Sequence, residues 1–423
     1  MRQSETLKDC FGMSALVIQE CGFDIEKLES KDIDVCMHYF DKFNEADPRD
    51  RTKVVFPFST MVMLILISKI CWKIDSFLEM ERWCGMNSAR LRKCGIIQGE
   101  ETPSHDTFRR FMMIVDVSKI REDVCSLIEA LFTKMARKSG KKFPAMKQIS
   151  ADGKEFCGSG RAKGTKKAQG NIATLNILDL STGCCILDSA ITKKQSEIPE
   201  LQSLLGSLKL KGTVLTADAL HCQRETCRKI GEGKGKYVLT AKQNQPELME
   251  EIAARFGKAS SGEIESFRMS EREIDYLPLP RGYAGVQWPG QKGYLRMMSS
   301  AGGREHGEYQ YFITSLKDGR TAAEAICNRW QIEGDYHYCK DMLLSEDACS
   351  FADKSIASNM ARYNSIIHAL YRVVMVIGGF RSPSDARMYL AVDAEGRMPA
   401  ILDMLEKKSL AEEIRKEIDR KKA

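Results

Sequence analysis

Two aspartates stand at the ends of short apolar stretches, each followed by a small residue. Asp152 lies in Ser150-Ala151-Asp152-Gly153-Lys154, and Asp218 follows Thr213-Val214-Leu215-Thr216-Ala217. If the two stretches are neighbouring strands, both carboxylates leave the same sheet edge, about 5 Å apart. Each alone also reads as a turn former or helix cap. Two in the same setting, one inside a basic segment, read as paired oxygen ligands. Divalent cations prefer such ligands. Two cations about 4 Å apart can activate an attacking oxygen and stabilise a leaving one. That is phosphoryl-transfer chemistry, and it asks for a third acid.

The third acid is best sought in Asn328-Arg329-Trp330-Gln331-Ile332-Glu333-Gly334-Asp335-Tyr336-His337-Tyr338-Cys339-Lys340. On a helix Glu333, His337 and Lys340 share one face, and Arg329 joins them one turn earlier. One acid with cations on the same stripe can meet a metal and its phosphate together. On spacing alone, an i, i+4 salt-bridge ladder explains the same letters and is the plainer reading. Ser104-His105-Asp106 has the residue types of a hydrolase triad, but adjacent residues on a helix point apart, which excludes it. Trp288, in Gln287-Trp288-Pro289-Gly290, offers an indole on which a base could stack. Packing inside a β-rich unit is the reading the sequence favours for it. Lys242, Asn244 and Gln245 follow a strand and suit either a phosphate contact or a helix cap.

These residues need elements to hold them. Up to about residue 145 the periodicity is helical. Ser59 is expected to cap a helix through Trp72, with Met61, Leu64, Ile65 and Ser68 on one face. Ser104 caps a second helix, with Thr107, Phe108, Phe111, Met112 and Val115 inward and Arg109 and Arg110 outward. The two arginines fit either a recognition helix or an ordinary amphipathic one. From Met146 onward the pattern becomes βββαβαβα. Strands are expected at Met146 to Ala151, Asn171 to Leu180, Cys184 to Ile191, Thr213 to Ala217 and Tyr237 to Thr240. Ser196 introduces the first helix of this run, at about Glu197 to Leu205. Such an order predicts a mixed, buried sheet flanked by helices. Residues 258–312 break the rhythm with Gly, Ser and Arg, and read as a β-rich insertion. Helices return at about Ala322 to Leu343 and Ile356 to Val376, and the last eighteen residues read as a solvated Lys/Glu-rich helix.

Composition bounds the rest. The 423 residues, 43% hydrophobic and 29% charged, can fill real cores, which excludes a mainly disordered chain. Fifteen cysteines are an odd number without a Cys-x-x-Cys pair, so neither a disulfide framework nor a structural zinc site is expected. The first residues carry no apolar export signal, and the run Met61 to Ile67 is too short to span a bilayer. A cytoplasmic protein without a membrane partner is therefore expected. The net charge of +6 hides an uneven distribution. From Lys134 to Lys167 eleven basic residues, among them Lys147, Lys154, Lys163, Lys166 and Lys167, face only Asp152 and Glu155. A polyanion is the natural partner of such a segment, and a solvated linker is the alternative.

Residues from about 47 to 375 resemble the DDE transposases of bacterial insertion sequences, in particular the ISAs-type group that includes the H-repeat-associated proteins. The resembling motifs are Asp152-Gly153-Lys154, then Lys194-Gln195-Ser196-Glu197-Ile198-Pro199, then Asp218-Ala219 with Cys222-Gln223. Tyr237-Val238-Leu239 with Lys242-Gln243-Asn244-Gln245-Pro246, Trp330-Gln331-Ile332-Glu333 and Glu346-Asp347-Ala348 complete the set. Its order and spacing are specific as a whole. Arg329, Glu333 and Lys340 also match the wider pattern Tyr-x2-Arg-x3-Glu-x6-Lys, with Ile326 at the Tyr position.

The resemblance implies an α/β fold with an RNase H-like (retroviral-integrase-like) mixed-sheet core. The core would span 146–260 and 313–380, with a β-rich insertion at 261–312. A helical, DNA-binding N-terminal domain would span 1–145, and a C-terminal helical tail 381–423. It implies Asp152, Asp218 and Glu333 as metal-binding catalytic acids for two Mg2+ ions, with Mn2+ as substitute. Terminal inverted repeats and target DNA would be the double-stranded partners, and a homodimer would form on DNA near the bacterial nucleoid. Lys154, Lys163, Lys166, Lys167, Lys242, Asn244, Gln245, Trp288, Arg329, Lys340, Arg109 and Arg110 are the expected DNA contacts. The implied activity is cleavage of element ends and strand transfer. A decayed or domesticated DNA-binding relative, or a nuclease without joining, is the alternative.

Overall fold

Long apolar runs and strict alternation give this chain two kinds of core, one helical and one built on a sheet. The computed structural model describes residues 33–406 except 75, 139–145, 160–170, 192–196, 270–271, 284, 286–287, 300–308, 350, 352 and 379. The helical part opens with α1 (Ile33–Asp41), α2 (Phe58–Trp72), α3 (Phe77–Met86), α4 (Ser88–Lys93), α5 (His105–Ile114) and α6 (Ser118–Lys138). Helix α2 corrects an expectation. It starts at Phe58 after Pro57 and has no side-chain cap, and every residue from Phe58 to Ile70 is buried. A helix that is apolar on all sides belongs in the middle of a core rather than on its surface. Helix α5 has the expected cap, with the Ser104 hydroxyl accepting from the Thr107 N–H at 3.3 Å and Phe108, Phe111 and Met112 buried.

The sheet part follows as β1 (Lys147–Glu155), β2 (Ala173–Asp179), β3 (Cys184–Ile191), α7 (Glu197–Leu204), β4 (Thr213–Ala217), α8 (Arg224–Glu232), β5 (Lys236–Ala241) and α9 (Pro246–Lys258). Then come β6 (Glu265–Met269), β7 (Arg272–Pro278), β8 (Gly293–Ser299) and β9 (Tyr309–Thr314). Among the described residues these strands form one mixed nine-stranded sheet in the order β3-β2-β1-β4-β5-β9-β8-β7-β6. β1 pairs antiparallel with β2 and parallel with β4, and β4 pairs parallel with β5. The strands within 261–312 therefore do not stand apart. They extend the central sheet beyond β5, joined through β9.

Period-two alternation buries both faces. Ile149, Ala151, Leu215, Ala217, Tyr237 and Leu239 pack under α7, α8 and α9 with Leu201, Ile230 and Ile252. Val214 and Val238 point the other way, against Ala322, Ala325 and Ile326 of α10 (Gly319–Arg329). After α10 the helix widens into a π-helical turn, Ile332–His337, and continues as α11 (Tyr338–Met342). The chain ends with α12 (Lys354–Gly378), α13 (Pro383–Val392) and α14 (Ala394–Glu406). These last helices share one apolar core with α1 to α6: Phe58, Leu64, Phe111, Phe132, Ile367, Leu390 and Leu402 belong to a single cluster. The expected Lys/Glu-rich end after residue 406 lies outside the described residues. No helix of the described residues is long and apolar enough to cross a membrane.

Candidate active site

The register of β1 on β4 brings the first two acids together. Ala151 pairs with Ala217, the last pair of that ladder, so Asp152 and Asp218 follow on adjacent strands at the same sheet edge. Asp218 also caps the short turn Ala219–His221, its Oδ1 accepting from the Leu220 N–H at 3.0 Å. Lys242 is exposed just beyond β5. The Asn244 and Gln245 amides donate to the carbonyls of Ala219 and Cys222 at 2.8 and 3.0 Å. Both therefore brace the loop that carries Asp218.

The third acid arrives from the π-turn. π-turns inside helices change the side-chain register and recur at functional sites. Glu333 lies close enough to Asp152 to act on its titration. The same turn puts His337 Nδ1 3.6 Å from Asp152 Oδ2. Burial pushes the Asp152 carboxyl up to about 7, and the negative charges of Glu333 and Asp218 push it the same way. Burial also holds His337 well below its usual range, with Lys340 and Lys154 adding to the effect. The His337–Asp152 contact is thus neutral imidazole against carboxyl rather than an ion pair. Glu333, 40% exposed, lies 3.1 Å from the Arg329 guanidinium, whose face also covers Trp330.

Two buried networks fix the turn. Asp335, between His368 and Arg372, is 3.1 Å from the Arg372 guanidinium, which holds its carboxyl low against the effect of burial. Arg372 also lies against Gly183, a turn residue at φ +73° where a Cβ would strike the guanidinium. Lys340 is fully buried, paired with Glu346 at 2.8 Å, while Asn364 donates to the same carboxylate at 2.7 Å. Lys154 turns inward to Asp341 at 2.6 Å and Asp347 at 3.1 Å.

The expected DNA-contact set therefore divides. The structure gathers Arg329 at the acids and leaves Arg109, Arg110 and Lys242 exposed. It turns Lys154 and Lys340 into internal ion pairs. Lys147, the other described side chain of the basic segment's middle, pairs with Asp179 at 2.9 Å and Glu129 at 3.0 Å. Lys163, Lys166 and Lys167 lie outside the described residues. Trp288 is 6% exposed, packed in the sheet core under the Arg224 guanidinium. It forms one wall of a cavity of about 330 Å³ with Gln202, Gln223, Arg224 and Gln245. One acid escaped the reading of single residues: Glu197, buried at the start of α7 against Gly153. A glycine directly after a strand-end acid was its signal.

Among the described residues, no three His, Cys, Asp or Glu side chains are already gathered tightly enough to hold an ion. The donor chemistry nevertheless fits hard divalent cations. The acids are carboxylates only, burial and their mutual repulsion raise Asp152, and Glu333 is paired with Arg329.

The chain is similar to known proteins. The Transposase DDE domain family matches residues 140–365, and its associated family, DDE_Tnp_1-associated, matches residues 38–128. The chain is similar to "Putative protein YbfL" of Escherichia coli K12, 23% identical over 72% of this chain and 82% of that protein. It is 24% identical to "H repeat-associated putative transposase YhhI" of the same strain, over 37% of this chain and 47% of that one. Among solved structures, a piggyBac transposase synaptic complex with hairpin DNA aligns with 97% of this chain and 86% of its own, at 12% identity and a TM-score of 0.40. With its DDE domain spanning more than half of the sequence, the chain belongs to the Transposase DDE domain family and has the function of a transposase.

Proposed function

We propose that Asp152, Asp218 and Glu333 are the catalytic acids of an RNase H-like centre that cuts element ends and joins them to target DNA. The observation that carries this reading is the convergence on Asp152: the β1–β4 register sets Asp218 beside it, and the π-turn that holds Glu333 brings His337 within 3.6 Å of its carboxylate. Carboxylates that act on one another's charge at one sheet edge are suited to neutralisation by cations. The sheet order supports the core assignment. Three antiparallel strands, β1 to β3, continue into β4 and β5 parallel to β1, with Asp152 and Asp218 just past the last β1–β4 pair and Glu333 in the π-turn after α10.

The three acids would hold two Mg2+ ions, or Mn2+ in their place, which supply activation of the attacking oxygen and charge stabilisation at phosphorus. The chain's own residues orient the reaction. Asn244 and Gln245 hold the Asp218 loop, and Asp335 with Arg372 fixes the turn that presents Glu333. Arg329, released from Glu333, would meet the phosphate. Water attacks the phosphodiester at the element end, its P–O3′ bond breaks and a 3′-OH is freed; that hydroxyl then attacks a target phosphodiester, whose own bridging 3′-oxygen leaves. Both steps are in-line displacements, so one centre serves both. Arg109, Arg110 and Lys242, exposed, and the basic segment through Lys163, Lys166 and Lys167 are the proposed duplex contacts, with binding that weakens steeply in salt. Pairing of two ends calls for a homodimer on DNA.

The test is a plasmid carrying the native flanking DNA, incubated with the full chain and Mg2+ or Mn2+, beside Asp218→Ala. Metal-dependent cuts at the flanks with strand-transfer products, absent from the variant, are expected. Nicks without joined products would make the protein a nuclease. Binding without cuts would make it a DNA-binding relative.

A further inference from the structure

The β1–β4 ladder ends at Ala151 and Ala217, so beyond that pair no β4 backbone separates the two faces of the sheet. Asp152 stands just past this point on the face of the π-turn, and Gly153 faces the opposite side, toward α7. A Cβ at Gly153 would sit 2.6 and 2.8 Å from the two carboxylate oxygens of Glu197. The Glu197 carboxylate therefore lies flat against the bare Cα next to Asp152, in space that only glycine leaves open. Its side chain is 7% exposed.

A second observation lies on the Asp218 side of the same gap. His221 ends the turn that Asp218 caps and is 1% exposed. Its Nε2 is 3.9 Å from Glu197 Oε2, too long for a hydrogen bond, and among the described residues neither ring nitrogen has a hydrogen-bond partner. A buried imidazole with both nitrogens unsatisfied is costly unless something completes the site. Its Nε2 faces the Glu197 carboxylate, in the turn that follows Asp218.

We propose that Glu197 is a fourth carboxylate of the acidic centre, reaching it through the gap at Gly153 and contributing to its affinity for a divalent cation. This rests on the reading of Asp152 and Asp218 as cation ligands. In this arrangement His221 is a positioning residue that fixes the Glu197 carboxylate. Gly153 is required because any side chain there would displace that carboxylate from the strand end.

The probe is Mn2+ itself, titrated into the full chain without DNA and followed by the electron-paramagnetic signal of the free ion. Wild type is expected to bind, and Asp218→Asn to lose that binding. Glu197→Gln keeps the shape of the side chain. It is expected to weaken Mn2+ binding about 10- to 100-fold while its thermal midpoint in the absence of metal stays near wild type. Gly153→Ala, which leaves all four acids in the sequence, is expected to weaken binding as well. If Glu197→Gln, or Gly153→Ala where the first variant does not fold, binds Mn2+ as wild type does while Asp218→Asn does not, the proposal is overturned and the three-acid reading stands. If Asp218→Asn binds like wild type, the three-acid reading fails and the proposal with it.

Discussion

The raised carboxyl of Asp152 has a consequence for stability. Its carboxyl titrates near 3.8 in the unfolded chain and at about 7 in the fold, because of burial and the charges of Glu333 and Asp218. The folded value is the higher one, so the fold favours the protonated form. The cost is absent below about pH 4, grows as pH rises, and is complete above about pH 7. At that limit it amounts to no more than about 4 kcal/mol. Asp152→Asn is therefore expected to raise the metal-free thermal midpoint at pH 8 by a few degrees and to leave it nearly unchanged at pH 4. Heat scans at the two pH values check this, and equal shifts at both would contradict it. Saturating Mg2+ should raise the wild-type midpoint at pH 8 more than that of the variant. The placing of Asp152 and Asp218 on neighbouring strands was legible because each follows a short apolar stretch. The inward turn of Lys154 and Lys340 was not, because their partners Asp341, Asp347 and Glu346 act through tertiary contacts that spacing does not encode.

At the scale of elements, the π-turn Ile332–His337 decides which side chains share the site. A straight α-helix would put Glu333, His337 and Lys340 on one stripe. In the structure Glu333 and His337 stay at Asp152, while Lys340 is drawn into the core beside Tyr336 and Glu346. Deleting Gly334 would shorten the wide turn toward an ordinary helix and misplace Glu333 relative to His337. Cleavage under single-turnover conditions is expected to fall at least about 100-fold, the scale of loss for a misplacement of about 1 Å. Affinity for end DNA in gel-shift assays should hold. Cleavage that survives the deletion would remove the turn from the account. Strands such as Cys184–Ile191 and Thr213–Ala217 were legible residue for residue from β-branched and alternating residues between turn signals. The π-turn was not, because α and π turns share the i, i+4 neighbours from which helix faces are read.

The whole molecule rests on two cores that cross the boundaries suggested by composition. Helices α13 and α14 close the helical core begun by α1 to α6. Asn359 donates to the carbonyls of Met112 and Val115 at 2.8 and 2.6 Å, and Arg387 donates to those of Ile70 and Cys71. These contacts join residues up to 317 positions apart, which is why periodicity along the chain could not reveal them. A chain ended after residue 380 is expected to expose Ile70, Leu370 and their neighbours, to aggregate, and to lose cooperative unfolding in calorimetry. A truncated chain that unfolds as cooperatively as the full one would contradict the shared core. Helix α12 of that core holds the π-turn through His368 and Arg372 at Asp335, so the three acids are best tested on the intact protein. The measurement is cleavage and joining of linear DNA bearing one element end, with Mg2+, by wild type and by Glu333→Gln. Wild type is expected to give a metal-dependent 3′-OH at the end and strand-transfer products, and a folded variant that still binds the DNA is expected to give neither. Cleavage of equal rate by Glu333→Gln, or by wild type in excess chelator, would contradict the three-acid reading.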